Sequence, residues 1–437
     1  MDIESDNKSE KLVDVLVVGG GAAGYFAALR AKLVSPESSV TILERGSKVL
    51  QKVSVSGGGR CNVTHSCFDP ANLVKFYPRG GKELRGAFSR FQPQDTVEWF
   101  TTRGVELKTE ADGRMFPDTD SSQTIIDCLE AERVKLGVEL LREAKIASLS
   151  RASDRFDCQV EVGGALLKVS AGAVVFATGS NAQARDLIAG LNHTITPCAP
   201  SLFTFEINNR RLIALSGVSV SRAKLSLEVK VENGGETHLK RFSEQGPVLI
   251  THWGLSGPAV IRLSAWAARE LAASSYKAKL AVNWLGVEGT TKGTEKLQSI
   301  FNEMRAVQGK QLVVSAPPVN LPKRLWVYLV GEAGISEASQ WASLKKEEQQ
   351  RLAELVTGEL VEVIGKGVFK EEFVTCGGVS LKEVDFRTMQ SKLHPGLFFA
   401  GEILDIDGLT GGFNFQNAWT TGWIAGESAG SCASECE

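Results

Sequence analysis

Near-continuous apolar runs alternate with helical patterns at both ends of the chain, and the middle is written differently. "VDVLVVGG" (13–20) and "SVTILERG" (39–46) lack polar alternation, as expected of parallel strands covered on both faces. Between them the spacing predicts a helix from about Ala22 to Val34, and "LVSPESS" forms the return loop. "SQTIIDCLEAERVKLG" reads as a further helix and "VELLREAKIASLS" as the strand after it. "RFDCQVEV" and "ALLKVSAGAVVFATG" follow, a period-two pattern and then another buried strand. From about residue 194 short alternating strands such as "FTFEI" and "KLSLEVKVENGG" predict an antiparallel barrel or sandwich. Helical signals then dominate, in "EKLQSIFNEMRAV" and "KKEEQQRLAELVTGEL", before "GLFFAGEI" returns to the style of the beginning.

The expectation is an α/β fold with one Rossmann-type domain built from both chain ends and a two-part domain inserted in it. Residues 1–10 read as a disordered head and 11–193 as the first part of the dinucleotide-binding domain. Residues 194–285 read as a barrel-like insert, 286–366 as a helical subdomain, and 367–437 as the return to the barrel edge and the first domain. A length of 437 residues suits two or three domains.

Composition narrows the function. A formal net charge of −2 gives no electrostatic footprint for nucleic acid, so a small-molecule substrate is expected and no nucleic-acid partner. The most apolar segment, Val13 to Leu29, holds Asp14 and several glycines, which favours strand–turn–helix over a membrane span. The polar, acidic start resembles no signal or transit peptide, so a cytoplasmic location is expected unless a targeting peptide has been removed. Oligomeric state is left open. The eight cysteines show no C-x-x-C or zinc-ligand spacing, so reduced thiols and no metal are expected.

Gly19, Gly21 and Gly24 form G-x-G-x-x-G between a strand and a helix. In that setting the first glycine permits the turn, the second lets backbone approach a pyrophosphate, and the third lets helix and strand pack. The second strand ends in Glu44, where a carboxylate accepts hydrogen bonds from ribose hydroxyls and repels a 2′-phosphate. FAD and NAD both satisfy these features. "KVSVSGGGRCNVTH" (52–65) favours FAD, since flavoproteins run a loop here back across the pyrophosphate. Gly57 to Gly59 allow backbone contact, and Arg60 offsets phosphate charge. "VVFATGS" and "GLFFAGEILDIDGLTGGFNFQNAW" add a turn suited to the adenosine and a helix N-terminus near Gly412–Asn414. The positive dipole end of such a helix favours negative charge on reduced flavin, and its small residues also permit tight packing.

Together with "LSGVS", "ITHWGLSGPAVIRLS" and "TCGGVSLKEVDFRTMQSKLHPGLFFAGEILDIDGLTGGFNFQNAW", these stretches resemble the bacterial-type FAD flavoproteins known as BaiN, YhiN or aminoacetone-oxidase-like. The resemblance runs from Val13 to Gly426. It implies non-covalent FAD held by Gly19, Gly21, Ala22, Ala23, Glu44, Arg45, Lys52, Gly59, Arg60, Cys61, Ile146, Thr178, Gly179, Gly401, Glu402, Gly412, Asn414 and Gln416. Ile146 belongs there as the backbone beside the adenine. After Ala-Thr-Gly the family continues with a glycine- and proline-containing loop, whereas this chain has "GSNAQARDLIAGLNHTITP".

Candidate catalytic groups are Cys61, Asn62, His65, His252, Thr375 and Asn414. Cys61 beside Arg60 is a site for a lowered thiol pKa, although a small residue packed against the flavin explains it too. The expected activity is FAD-dependent oxidation of a small organic substrate, such as an amine, with oxygen or another acceptor. NAD(P)H-dependent reduction of an unsaturated carbonyl compound, or nucleic-acid modification, are the alternatives. No second strand–G-x-G-x-x-G–helix unit is legible; the near match is "VIGKGVFKEE" (363–372). NAD(P)H is therefore expected to reduce the flavin slowly or not at all.

Overall fold

The computed structural model describes residues 10–287, 290–367 and 374–434. The expected disordered head falls almost entirely on residues outside that set. Two compact units result: 1–198 with 375–437, and 199–374.

In the first unit a sheet runs in the order Val384–Asp385, Gln390–Ser391, Leu397–Phe399, Ala165–Phe176, Lys11–Val18, Val40–Leu43, Glu139–Leu141. Its centre is parallel, with Val15 paired to Val40 on one side and Ala173 on the other, and Val174 paired to Leu397. The strands are buried on both faces, which is why their sequences show no alternation. "VELLREAKIASLS" is two strands rather than one. Glu143 takes a left-handed φ of 52°, and the bend frees Ala144–Ala152 to pair antiparallel with Arg155–Val162.

Helix Ala22–Val34 and the C-terminal helix Phe413–Ser434 lie against each other backbone to backbone. A Cβ placed on Gly422, Gly426 or Gly430 would sit 2.4, 2.2 or 2.7 Å from the carbonyl oxygens of Ala23, Ala27 and Ala31. The glycines recur every four residues, so they form one stripe facing an alanine stripe. Above it Phe26 packs against Trp99 and Trp419 with centroids 4.7 and 4.6 Å apart. The buried His193 bonds Glu383 through Nδ1 (3.0 Å) and Ser391 through Nε2 (2.9 Å), clasping the returning chain.

The second unit holds a closed six-stranded barrel: Phe205–Ile207, Gly254–Ser256, Glu236–Ile250, Ser219–Asn233, Ala278–Asn283 and Glu359–Lys366. The closing strand comes from the segment expected to be helical, so the boundary at 285/286 does not exist. Phe205, Leu225 and Val282 of the barrel share one core with Phe301, Trp326, Trp341 and Leu352 of the helical part. Gly365 of the "VIGKG" run lies on the closing strand and opens no nucleotide-binding turn; residues 368–372 of that run lie outside the described set. Among the described residues no helix is long and apolar enough to cross a membrane.

The helix contact predicts the effect of enlarging its glycines. Gly426→Leu forces the helices apart and should lower unfolding free energy by about 1–3 kcal/mol or more. Gly190→Ala, where a Cβ meets nothing within 4 Å, should change it by less than about 0.5 kcal/mol. Urea unfolding of both variants checks the contrast, and equal effects would reject the packing account.

Candidate flavin-binding site

The glycine motif makes the tight turn and the close helix–strand approach expected of it. Gly19 has a φ of 112°, which L side chains rarely adopt, and a Cβ there would lie 2.5 Å from Ala177 O. A Cβ on Gly24 would lie 1.9 Å from Gly19 O, so only glycine lets the helix start this close to the strand. A Cβ on Gly21 would meet nothing within 4 Å; its backbone caps helix Ala22–Val34 and faces open space. That helix, with Ala22 and Ala23 in its first turn, offers unpaired N–H groups and a positive dipole end.

Glu44 ends the second strand and folds back on the motif. Its carboxylate accepts from Gly20 N (2.9 Å) and Gly46 N (2.7 Å), fixing both oxygens beside the turn. Gly19, Glu44, Arg45, Ile146 and Thr178 line one cavity of about 120 Å³, together with Asn181 and Gln183. Thr178 Oγ1 is buried and has no hydrogen-bond partner. A buried hydroxyl left unpaired costs about 1–3 kcal/mol, so one on a residue that lines a cavity fits a site made for a polar ligand. The adenosine half of a dinucleotide suits these groups, and Glu44, Thr178 and the Ile146 backbone would hold it.

A second cluster continues from it. Lys52 and Glu402 form an ion pair, and Glu402 also accepts from Thr375 N (2.9 Å). Gly179 lies beside Glu402, with φ 59°. Gly401 packs on Ala23, where a Cβ would lie 2.9 Å from the alanine methyl. The stretch expected as a loop begins as a helix, Gln51–Gly59, which breaks at Ser56–Gly58. Cβ atoms on Gly58 and Gly59 would meet nothing within 4 Å, as backbone presented to a ligand requires.

Several of the expected contact residues are engaged within the protein. Arg60 is held by Glu110 (2.7 Å) and Asp120 (3.4 Å), with its guanidinium 4.0 Å over Phe116, so its charge is already matched. Cys61 is fully buried, and burial pushes its thiol up to about 12, opposite to an activated nucleophile. Asn414 staples its own loop, accepting from Gly408 N and donating to Gly408 O, both at 2.8 Å. Gln416 is fully buried and accepts from the hydroxyls of Thr64 (2.6 Å) and Thr96 (2.9 Å).

Asn62, with its amide oriented to satisfy both ends, donates to Thr64 O (3.1 Å) and accepts from Gly412 N (2.9 Å). It pins the start of helix Phe413–Ser434, where a Cβ on Gly412 would lie 2.5 Å from Thr64 O. His65 stacks on Phe413 (4.8 Å) and bonds Asp112 O through Nε2 (3.1 Å), and burial lowers its pKa. His252 belongs to the second unit, exposed and edge-on to Trp253 at 4.4 Å. Asn181 and Gln183 are site residues that sequence reasoning missed. Their signal was the departure after Ala-Thr-Gly: Asn181 accepts from Ala184 N (2.9 Å) as the N-cap of helix Ala182–Gly190.

The family model described as HI0933-like protein Rossmann domain matches residues 13–428. The chain belongs to the HI0933-like family. It is a flavin-dependent oxidoreductase of that family. It is 29% identical over 422 residues to a protein of Escherichia coli K12 named ribosomal RNA dihydrouridine synthase, covering 95% of this chain and 97% of the relative. It is 25% identical over 423 residues to the 3-dehydro-bile acid delta(4,6)-reductase of Clostridium scindens, covering 94% and 98%. Among solved structures, a 3-ketosteroid-delta4-(5alpha)-dehydrogenase from Rhodococcus jostii RHA1 has the same fold. The TM-score is 0.51 at 14% identity, over 98% of each chain. The family assignment agrees with the resemblance carried by the glycine loop and the C-terminal block.

The burial of Cys61 has a direct consequence. At pH 8 a thiol of pKa about 12 is ionised to roughly one part in ten thousand. Iodoacetamide should leave Cys61 unmodified in the native protein and modify it after unfolding, as read by peptide mass spectrometry. Rapid native labelling would show the thiol to be activated.

Proposed function

We propose that the flavin is FAD and that the enzyme reduces a carbon–carbon double bond conjugated to a carbonyl group, in a small molecule. The observation that carries FAD is the cavity at the strand end, lined by the Glu44 carboxylate and by Thr178, whose hydroxyl has no partner. FMN has no adenosine to fill it. The reductive direction draws support from full-length relatives whose names denote a dihydrouridine synthase and a delta(4,6)-reductase. A relative matched over 41% of this chain is named vinyl phenol reductase. Each name denotes addition of two hydrogens across a double bond.

When bound, flavin supplies the two-electron carrier for such a step. The alkene gains a hydride at one carbon and a proton at the other, and its π bond is lost. The electrons balance with a reduced pyridine nucleotide as donor to the flavin, which departs from the expectation drawn from the lack of a second glycine-motif unit. The chain's own part is to orient and to tune. The N–H groups at the start of helix Ala22–Val34 suit a pyrophosphate, and the pinned N-terminus of helix Phe413–Ser434 suits developing negative charge. A second reading, uridine within RNA as the substrate, is favoured by the name of the 29% identical relative. The net charge of −2 speaks for the small molecule.

Denatured protein should release FAD and no FMN on chromatography. Glu44→Ala should weaken FAD retention by about tenfold, having lost charge-assisted hydrogen bonds. Release of FMN would end the FAD reading.

Substrate class is read with protein photoreduced under anaerobic conditions, so that the donor does not enter. Conjugated enones should reoxidise the flavin within seconds, with the saturated ketone as product. Reoxidation by unmodified ribosomal RNA but not by enones would transfer the assignment to uridine. Reoxidation by oxygen alone would reject both.

A further inference from the structure

Helix Ala182–Gly190 starts inside the segment where this chain leaves the pattern of its family. Its first turn brings Gln183 to the cavity that also holds Ile146 and Thr178. There Gln183 Nε2 donates to Ile146 O at 3.4 Å. A bond of that length is weak and easily exchanged. The half-buried amide therefore sits at the cavity on the backbone carbonyl expected beside an adenine, with one donor engaged loosely.

The chemistry of the two partners is complementary. A carboxamide presents a donor and an acceptor side by side, and adenine presents N6–H beside a ring nitrogen acceptor. Glutamine pairs with adenine in this bidentate way, whereas a base with oxygen at position 6 offers an acceptor where the amide needs a donor. Asn181, as N-cap, and Arg185, which donates to Ser180 O (2.5 Å), hold the first turn in place. The amide thus projects from a rigid element and not from a loose loop.

We infer that Gln183 reads the base of the dinucleotide and sets this enzyme's preference for adenine. This rests on the FAD reading and adds a specificity residue to it. Without ligand the amide rests on Ile146 O, and on binding it turns to the adenine edge, so that the same carbonyl is released to accept from N6–H.

The test uses full-length protein stripped of flavin and titrated with FAD or with its hypoxanthine analogue, in which oxygen replaces the N6 amine. Flavin fluorescence quenching reports the dissociation constants. The wild type should prefer FAD by about tenfold or more, the discrimination that a bidentate pair provides. Gln183→Leu and the near-isosteric Gln183→Met should weaken FAD by about tenfold, leave the analogue unchanged and so lower the ratio about tenfold, the Ile146 carbonyl keeping its own contact with N6–H. Unchanged melting temperatures of the stripped variants would exclude misfolding as the cause. Variants that keep wild-type FAD affinity and the wild-type ratio would overturn the assignment of Gln183 and leave FAD standing. A wild type that binds neither ligand would overturn the FAD reading itself, and this assignment with it.

Discussion

The close approach of helices Ala22–Val34 and Phe413–Ser434 is the contact on which the first unit depends. Nearly four hundred residues separate them in sequence, yet three glycines and three alanines leave no side chain between their backbones. Dispersion between closely packed backbones replaces the usual interlocking of large residues, and nothing larger than glycine fits. That contact fixes where both helices begin. One N-terminus follows the glycine turn at Gly19–Gly21, and the other is the Gly412–Phe413 start pinned by Asn62. Two positive dipole ends are thereby set on one rigid scaffold, which a pyrophosphate and a reduced flavin ring can use.

Around this scaffold the polar side chains divide into two kinds. Asn62, Asn414 and Gln416 have their hydrogen bonds satisfied by protein and act as buried or half-buried braces. Buried amides are costly unless paired, so their pairing is complete and their orientation fixed. Thr178 and Gln183 are different, one with no partner and the other with a weak one. Unfinished hydrogen bonding at a cavity marks the groups with something left to do. Cys61 belongs with the braces: its backbone N–H bonds Ser56 O at 3.0 Å, and burial suppresses its ionisation.

Charge follows the same logic. Arg60 stands at the glycine-rich turn, but Glu110, Asp120 and the Phe116 ring surround it. A guanidinium with two carboxylates contributes little net field to an anion nearby. A pyrophosphate bound there would instead meet the backbone N–H groups and the dipole of helix Ala22–Val34, which need no counterion, with Arg45 at the neighbouring cavity.

What the sequence by itself determined is local and periodic. Unalternating strands, the G-x-G-x-x-G turn, the carboxylate at Glu44 and the small-residue C-terminal helix each follow from spacing and backbone sterics, so Gly19 and Gly24 were legible before any coordinates. The tertiary structure decided which side chains meet. The barrel closes with Glu359–Lys366, a strand placed by its neighbours after a long helical excursion. "VELLREAKIASLS" divides because a bend at Glu143 lets its two halves pair with different strands, Val40–Leu43 and Arg155–Val162. Arg60 takes Glu110 and Asp120, Gln416 takes Thr64 and Thr96, and Gln183 takes Ile146, pairs between 37 and 352 residues apart. Propensity and periodicity act over a few residues; the choice among competing partners is made only when the packed chain brings them within hydrogen-bond reach.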